Sequence, residues 1–285
     1  MTMGKTSEAA RARKLAGLIK DRALAERVEA AVLAVLVAGG ILREKYGQPI
    51  AVSRKGPIDL VTEADFAAEE AVCSTLERWF PGGMALTEEK VTEIDSTMSG
   101  WVVDPLDGTT NFAHGFPWFA VSVGWVEQGV PLTGAIYAPM LDELFVAARG
   151  CGAFLNGRRI KVSRVKTLEE SLVATGFPYS IREKSEEVTR LLAAVLKEVQ
   201  GVRRAGAAAL DLAYVACGRL DGFFEQELKP WDVAAGGLLV EEAGGRVTGY
   251  RGKRVSIFDA EIVATNTSIH RELVGILSRF AVSPS

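Results

Sequence analysis

The hydrophobic period of this chain changes once, at Pro81-Gly82-Gly83, and that change narrows the possible folds. Before it, Asp21 to Tyr46 spaces Ala, Leu and Val as one long helix, ended by the Gly47 to Pro49 break. Gln48 to Ile58 reads as a surface loop with Arg54, Lys55, Gly56 and Pro57 at its tip, and Thr62 to Phe80 as a second helix. After it, Met84 to Thr87 and Gly100 to Asp104 are apolar runs of strand length ending in acidic residues. Trp118 to Glu127, Val130 to Ala138 and Leu144 to Ala148 read as successive strands. Asn156-Gly157, between Ala153-Phe154-Leu155 and Ile160-Lys161-Val162, is the strongest hairpin signal.

The remainder alternates. The pattern predicts a helix from Arg182 to Val199, a strand at Val202 to Arg204, a helix from Ala207 to Cys217 and a strand at Leu220 to Gln226. A helix from Asp232 to Ala243, strands at Arg246 to Thr248 and Glu261 to Ala264, and a closing helix after Thr267 complete it. Paired helices, a mostly antiparallel sheet and an alternating second half together predict a layered fold of helices and sheets.

With 285 residues the chain can bury a sizeable core as one large domain or two closely joined ones. Its 48% apolar and 24% charged residues exclude a disordered class. A net charge of −3 with no long basic run argues against nucleic acid as the main partner. Cys73, Cys151 and Cys217 form no CxxC pair, which disfavours disulfides and structural zinc and fits a reducing cytoplasm. Met1 to Lys20 lacks an apolar block of secretory type and reads as an N-terminal extension. The longest apolar run, Ala30 to Leu42, falls short of the roughly 20 residues that span a bilayer, so a soluble protein is expected.

The chemistry lies in Trp101-Val102-Val103-Asp104-Pro105-Leu106-Asp107-Gly108-Thr109-Thr110-Asn111-Phe112. An apolar strand delivers Asp104 to its end, Pro105 should stop the ladder, and Gly108 with two threonines can open a helix whose free N–H groups bind an anion. Structural roles are open to the same residues: Asp104 can cap a turn and Asp107 can serve as an N-cap. Repetition favours a site, because Glu88-Glu89 ends the preceding strand and Trp231-Asp232 opens a later helix. Gathered in one cleft, such acids would repel by about 4 kcal/mol per pair at 4 Å and an effective dielectric near 20, so cations are needed. Oxygen ligands without paired histidines select a hard ion, with Mg²⁺ the natural candidate for phosphate chemistry.

His114 and His270 share no metal-ligand spacing and read as packing or surface residues, which disfavours zinc and a histidine-based triad. Gly150-Cys151-Gly152 lacks the third glycine of a dinucleotide fingerprint, and Gly252-Lys253-Arg254 lacks the Ser or Thr of a phosphate loop. No GxSxG elbow occurs.

Taken in order, Asp59-Leu60-Val61-Thr62-Glu63-Ala64-Asp65, Glu88-Glu89, Asp104 to Phe112, and Trp231-Asp232 followed by Glu241-Glu242-Ala243-Gly244-Gly245 resemble the inositol monophosphatase family, over roughly Ala23 to Phe280. The resemblance implies an α+β fold, a layered α-β-α-β-α sandwich. It also implies a phosphatase domain over 21–285, with an α+β half to about 165 and an α/β half after it. It further implies a cytoplasmic homodimer that uses two or three Mg²⁺ ions, is sensitive to Li⁺, and acts on a small phosphate monoester without membrane or nucleic-acid partners.

Position by position, the resemblance implies one metal on Glu88, Asp104 and the Leu106 carbonyl, and a second on Asp104, Asp107 and Asp232, with Glu88 sharing a weaker third site through water. Glu88, Thr109 and Asp65 take catalytic roles, Thr109 and Asp65 as a water-orienting pair. Asp65 can instead be the N3 partner of a capping box with Thr62. The metal-ligating Leu106, Asp107 and Asp232, with the amides of Gly108 and Thr109, hold the phosphate side, and Arg203, Gly206, Ala207, Ala208 and Glu225 the alcohol side. Glu225 can also be read as a plain exposed strand carboxylate, and Asp211 as structural.

Three positions depart from the family's pattern: Thr87 where many members have glycine, Ala207 for a frequent Ser or Thr, and Pro57 one residue closer to Arg54-Lys55 than in some relatives. The Thr109 to Phe112 segment resembles the inositol and sugar phosphatase branch, which implies myo-inositol 1-phosphate as substrate and fructose 1,6-bisphosphate as a second. The Arg203 to Tyr214 stretch also resembles bacterial members that bind the transcription machinery, so a regulatory role is a competing expectation.

Overall fold

The computed structural model describes residues 2–49, 51–54, 60–89 and 96–281. Asp59 and the tip of the Arg54 to Pro57 loop lie outside the described residues or at their edge.

Helix α1 (Thr2–Ala16) is followed by α2 (Arg22–Lys45), whose N-cap Asp21 accepts the Leu24 amide at 3.0 Å. Strand β1 (Val52–Arg54), within the segment expected to be loop, pairs antiparallel with β2 (Leu60–Thr62), which leads into α3 (Glu63–Trp79). The capping box Thr62/Asp65 starts α3 where the sequence pattern places it.

Then come β3 (Ala85–Thr87), β4 (Gly100–Asp107), the short α4 (Thr109–Ala113), β5 (Ala120–Glu127), β6 (Val130–Ala138), β7 (Glu143–Ala148), β8 (Gly152–Leu155) and β9 (Arg158–Arg159). These seven strands form one sheet in chain order, antiparallel except for β3 beside β4. Asn156 and Gly157 have φ of 50° and 80°, the paired left-handed conformation of a tight hairpin. The returning strand starts at once, Leu155 facing Arg158, rather than at Ile160.

The second half holds β10 (Leu172–Thr175), α5 (Ile181–Leu196), β11 (Gly201–Arg203), α6 (Ala208–Ala216), β12 (Gly222–Gln226), α7 (Pro230–Glu242), β13 (Arg246–Thr248), β14 (Glu261–Thr265) and α8 (His270–Leu277). Its five-stranded sheet runs β11-β10-β12-β14-β13, parallel around β10 and antiparallel around β14. The sequence pattern misses β10, a strand of only four residues followed by Gly176-Phe177-Pro178.

Period-two alternation sorts side chains into three cores. Trp101 and Val103 of β4 face α2 and α3, while Val102 between them faces α6 and α7. In the second sheet Phe223 joins the α6/α7 core, whereas Phe224 packs with Leu191, Leu273 and Leu277 of α5 and α8. The layers are therefore helices, sheet, helices, sheet, helices: the α-β-α-β-α sandwich. Close approach of the central helices needs small residues, since a Cβ on Gly134 of β6 would sit 2.8 Å from the Ala235 Cα of α7.

The N-terminal stretch is part of this packing. Ala12, Leu15, Ala16 and Ile19 are buried with α2, and Arg11 binds Asp142 at 2.7 Å and Asn156 at 2.6 Å.

Candidate active site

A cleft of about 240 Å³ opens where β4, α6, β12 and α7 meet, and Glu88, Asp104, Asp107, Thr109, Glu225 and Asp232 all line it. Each acid arrives by a local device. Asp104 ends the regular part of β4, and its Oδ1 accepts the Leu106 amide at 3.0 Å, so the turn-capping role is real. Pro105 does not end the ladder: Asp104 pairs with Ser122, the register shifts, and pairing resumes between Asp107 and Ala120. That bulge aims both acids into the cleft.

Asp107 does not cap the helix that follows it. Gly108, at φ 95°, is the N-cap of α4 and has no side chain to offer. A Cβ there would meet the Trp118 carbonyl oxygen at 2.9 Å, so glycine is required on two counts. The Asp107 carboxylate instead accepts the Ala208 amide at 3.1 Å and the Ala209 amide at 2.8 Å, at the start of α6. Ala207, the N-cap of α6, has no oxygen for this task. Asp232 sits at N3 of α7, where its Oδ2 accepts the Lys229 amide at 2.7 Å.

Asp65 closes the capping box and reaches Thr109 as well. Its Oδ2 accepts the Thr62 amide and hydroxyl, each at 2.7 Å, and its Oδ1 accepts the Thr109 hydroxyl at 2.8 Å. The Thr109 Oγ1 also lies 3.0 Å from the Leu106 carbonyl.

The electrostatics of the cleft are those of crowded anions. Burial pushes the Asp104 carboxyl well above the usual carboxylate range, and Glu88, Asp107 and Asp232 push it further. Burial raises Asp107 to about 7 against the pull of the α6 amides, and raises Asp232 to about 7 with Asp107 adding to it. Among the described residues no three acids are drawn into a closed ligand shell. Backbone amides hold Asp107 and Asp232 instead. The donor set is nonetheless all oxygen, converges on one cleft and carries excess negative charge, which suits a hard divalent cation.

Glu225 is 9% exposed and is not a plain surface carboxylate. Burial raises it well above its ordinary range, as do Asp232 and Asp211, with Arg204 opposing. Gly206, Ala207 and Ala208 line the cleft as expected, but Arg203 does not. Arg203 ends β11 and is exposed, its guanidinium on the Val202 carbonyl at 3.1 Å. Its neighbour Arg204 lines the cleft and stacks over Phe177 at 5.0 Å. Gly176 is a further residue the sequence reading misses, along with the strand before it: a Cβ there would fall 2.0 Å from Glu225 Oε1. Asp211 is buried, 1% exposed, and its carboxyl is raised by burial and by Asp107.

The inositol monophosphatase family model matches residues 23–281 of this chain. The chain belongs to the inositol monophosphatase family. It is 44% identical to an inositol-1-monophosphatase of Mesorhizobium japonicum over 85% of its own length and 92% of the relative's. It is 42% identical to the Nus factor SuhB of Escherichia coli K12 over 86% of its length and 92% of that protein. The crystal structure of the extragenic suppressor protein suhB from Bartonella henselae superposes with a TM-score of 0.83 at 44% identity, covering 88% of this chain and 97% of that one. Family membership makes the protein a phosphoric monoester hydrolase. Among its described residues no helix is long and apolar enough to cross a membrane.

Proposed function

We propose that the protein is a Mg²⁺-dependent inositol-1-monophosphatase, with Glu88, Asp104, Asp107, Asp232 and the Leu106 carbonyl as metal ligands. The observation that carries this reading is the cost of the carboxylate cluster as it stands: Asp104, Asp107 and Asp232 are all raised by burial, and each also by neighbouring acids, Asp107 by Glu88. Bound divalent ions would supply charge neutralisation, acidify a water and stabilise the departing alkoxide.

The chain's own residues divide the remaining work. With its hydroxyl proton directed to Asp65, Thr109 turns a lone pair outward to orient an attacking water. Helix α4 has only five residues, so its dipole is slight and the phosphate relies on the individual amides of Gly108 and Thr109. Glu225, backed by Gly206, Ala207 and Ala208, meets the hydroxyls of the polyol. The protein works as a homodimer in the cytoplasm and is inhibited by Li⁺, with fructose 1,6-bisphosphate as a second substrate.

A phosphate-release screen over inositol phosphates, sugar phosphates, histidinol phosphate and nucleotide bisphosphates, with Mg²⁺ or with chelator, tests this reading. Release confined to polyol and sugar monoesters and abolished by chelator is expected. Release that ignores chelator would reject the metal assignment.

The relatives named Nus factor SuhB favour a second, compatible role in binding the transcription machinery, through the Arg203 to Tyr214 region. A pull-down run beside the phosphate assay separates the two, because capture without turnover would leave the regulatory role alone.

A further inference from the structure

Helix α7 walls two cavities. Asp232 near its start faces the catalytic cleft, while Val233, Ala234, Gly237, Leu238 and Glu241 line a separate cavity of about 400 Å³. The two linings share no residue, and Glu241 lies nine residues beyond Asp232, roughly 13 Å along a helix rising 1.5 Å per residue. The far walls of the second cavity are the β5–β6 turn around Gly129 and the segment from Arg254 to Ile257. Its volume falls in the range of roughly 300–1,000 Å³ typical of small-molecule sites.

The charges of this cavity are unequally satisfied. Arg149 is fully engaged: Nη1 binds Glu241 at 2.5 Å, and Nε and Nη2 donate to the Pro131 carbonyl at 3.2 and 2.8 Å. That pair is neutral and fixes one wall. Arg254 is the remaining charged residue of the lining, is exposed, and makes no hydrogen bond or ion pair among the described residues. One cation thus stands beside a mostly apolar hollow.

Glycine at position 237 points the same way. A glycine inside a helix costs stability relative to alanine, so it needs a reason. Gly236 has one, since a Cβ there would meet the Leu212 side chain at 2.7 Å. At Gly237 a Cβ would meet nothing within 4 Å. Packing does not demand glycine at 237; its effect is to leave the cavity open.

We propose that this cavity is a second ligand site for a small amphipathic anion, its flat apolar body against Val233, Leu238, Val247 and Ile257 and its anionic group on Arg254. The site is separate from the catalytic cleft and independent of the substrate assigned there.

Calorimetric titration of the full-length protein with 1-naphthoate, and with neutral 1-naphthalenemethanol as control, tests the proposal. One saturable site per chain is expected for naphthoate, with the alcohol weaker by roughly tenfold, the loss of one charge-assisted contact. Arg254→Ala should bring naphthoate down to the alcohol's affinity. Gly237→Leu, which fills the hollow, should abolish both, with a melting temperature no lower than wild type. Should that variant fail to fold, Val130→Trp at the 41% exposed rim position provides the same block. Asp107→Asn should leave naphthoate binding unchanged. No saturable binding, binding that survives the filled cavity, equal affinity for acid and alcohol, or loss of binding in Asp107→Asn would each overturn the proposal.

Discussion

The Thr109 hydroxyl donates to Asp65 Oδ1 across 2.8 Å, while Oδ2 of the same carboxylate closes the capping box of α3 on Thr62. One buried acid therefore fixes the start of a helix and the rotamer of the residue assigned to water orientation. The two duties are separable by mutation. Thr109→Val keeps the shape and removes the hydroxyl, so turnover should fall by roughly 10²–10⁴-fold with little change in melting temperature. Thr109→Ser should restore most of it. Asp65→Ala should also cost about 1–3 kcal/mol of stability, because the Thr62 amide loses its partner. Steady-state kinetics beside thermal melts decide the matter, and a fully active Thr109→Val would reduce the pair to architecture.

Asp107→Asn should abolish Mg²⁺-dependent turnover, and it should also loosen the fold. The carboxylate accepts two α6 amides, and an asparagine can present only one oxygen to them. A loss of about 1–3 kcal/mol is expected, seen as a lower urea midpoint with unchanged slope. Unaltered stability would show that α6 does not depend on this cap.

Acidity and metal binding should be linked. In the metal-free protein Asp107 and Asp232 titrate at about 7, above the 3.8 of an ordinary aspartate. Between those values the folded chain holds more protons than the unfolded one, so metal-free stability should rise as pH falls from about 7 toward about 4. A divalent ion binds the ionised acids and must displace those protons. Mg²⁺ should therefore raise the melting temperature more near pH 8 than near pH 6. Scanning fluorimetry with Mg²⁺ or chelator at both pH values checks this, and equal shifts would argue against these two acids as ligands.

Gly176→Ala places a methyl group where the Glu225 carboxylate now lies. Substrate affinity should weaken by roughly tenfold, about 1.4 kcal/mol, with the fold intact. Kinetics on a polyol phosphate and on a small aryl phosphate distinguish this from a general defect, since only the polyol should suffer.

Helix α1, which precedes the family-matched residues, should contribute to stability chiefly through its apolar face. Leu15 is 3% exposed, so Leu15→Ala should cost about 2–5 kcal/mol. Arg11→Ala, which removes a partly exposed ion pair with Asp142, should cost less than about 1 kcal/mol. Denaturant melts of the two variants give the ranking, and the reverse order would mean that polar contacts anchor the helix.

Reading the residues alone locates α2 and α3, the run of antiparallel strands, the Asn156-Gly157 turn and the acids at strand ends. These depend on period, caps and turn chemistry within a few neighbouring residues, which are written directly in the chain. The short β10 escapes that reading, because a four-residue strand carries too little periodicity to be separated from a loop. Asp107 and α6, by contrast, are 101 residues apart, and nothing local says that one carboxylate will cap a helix whose own N-cap is alanine. Arg203 ends the edge strand β11 and Arg204 follows it, so which of the two enters the cleft depends on how the chain leaves its pairing with β10. The burial that lifts Asp104, Asp107 and Asp232 likewise exists only once two sheets and the α6/α7 layer close around them. Local chemistry named the candidate groups, and long-range packing set their partners, protonation and aim.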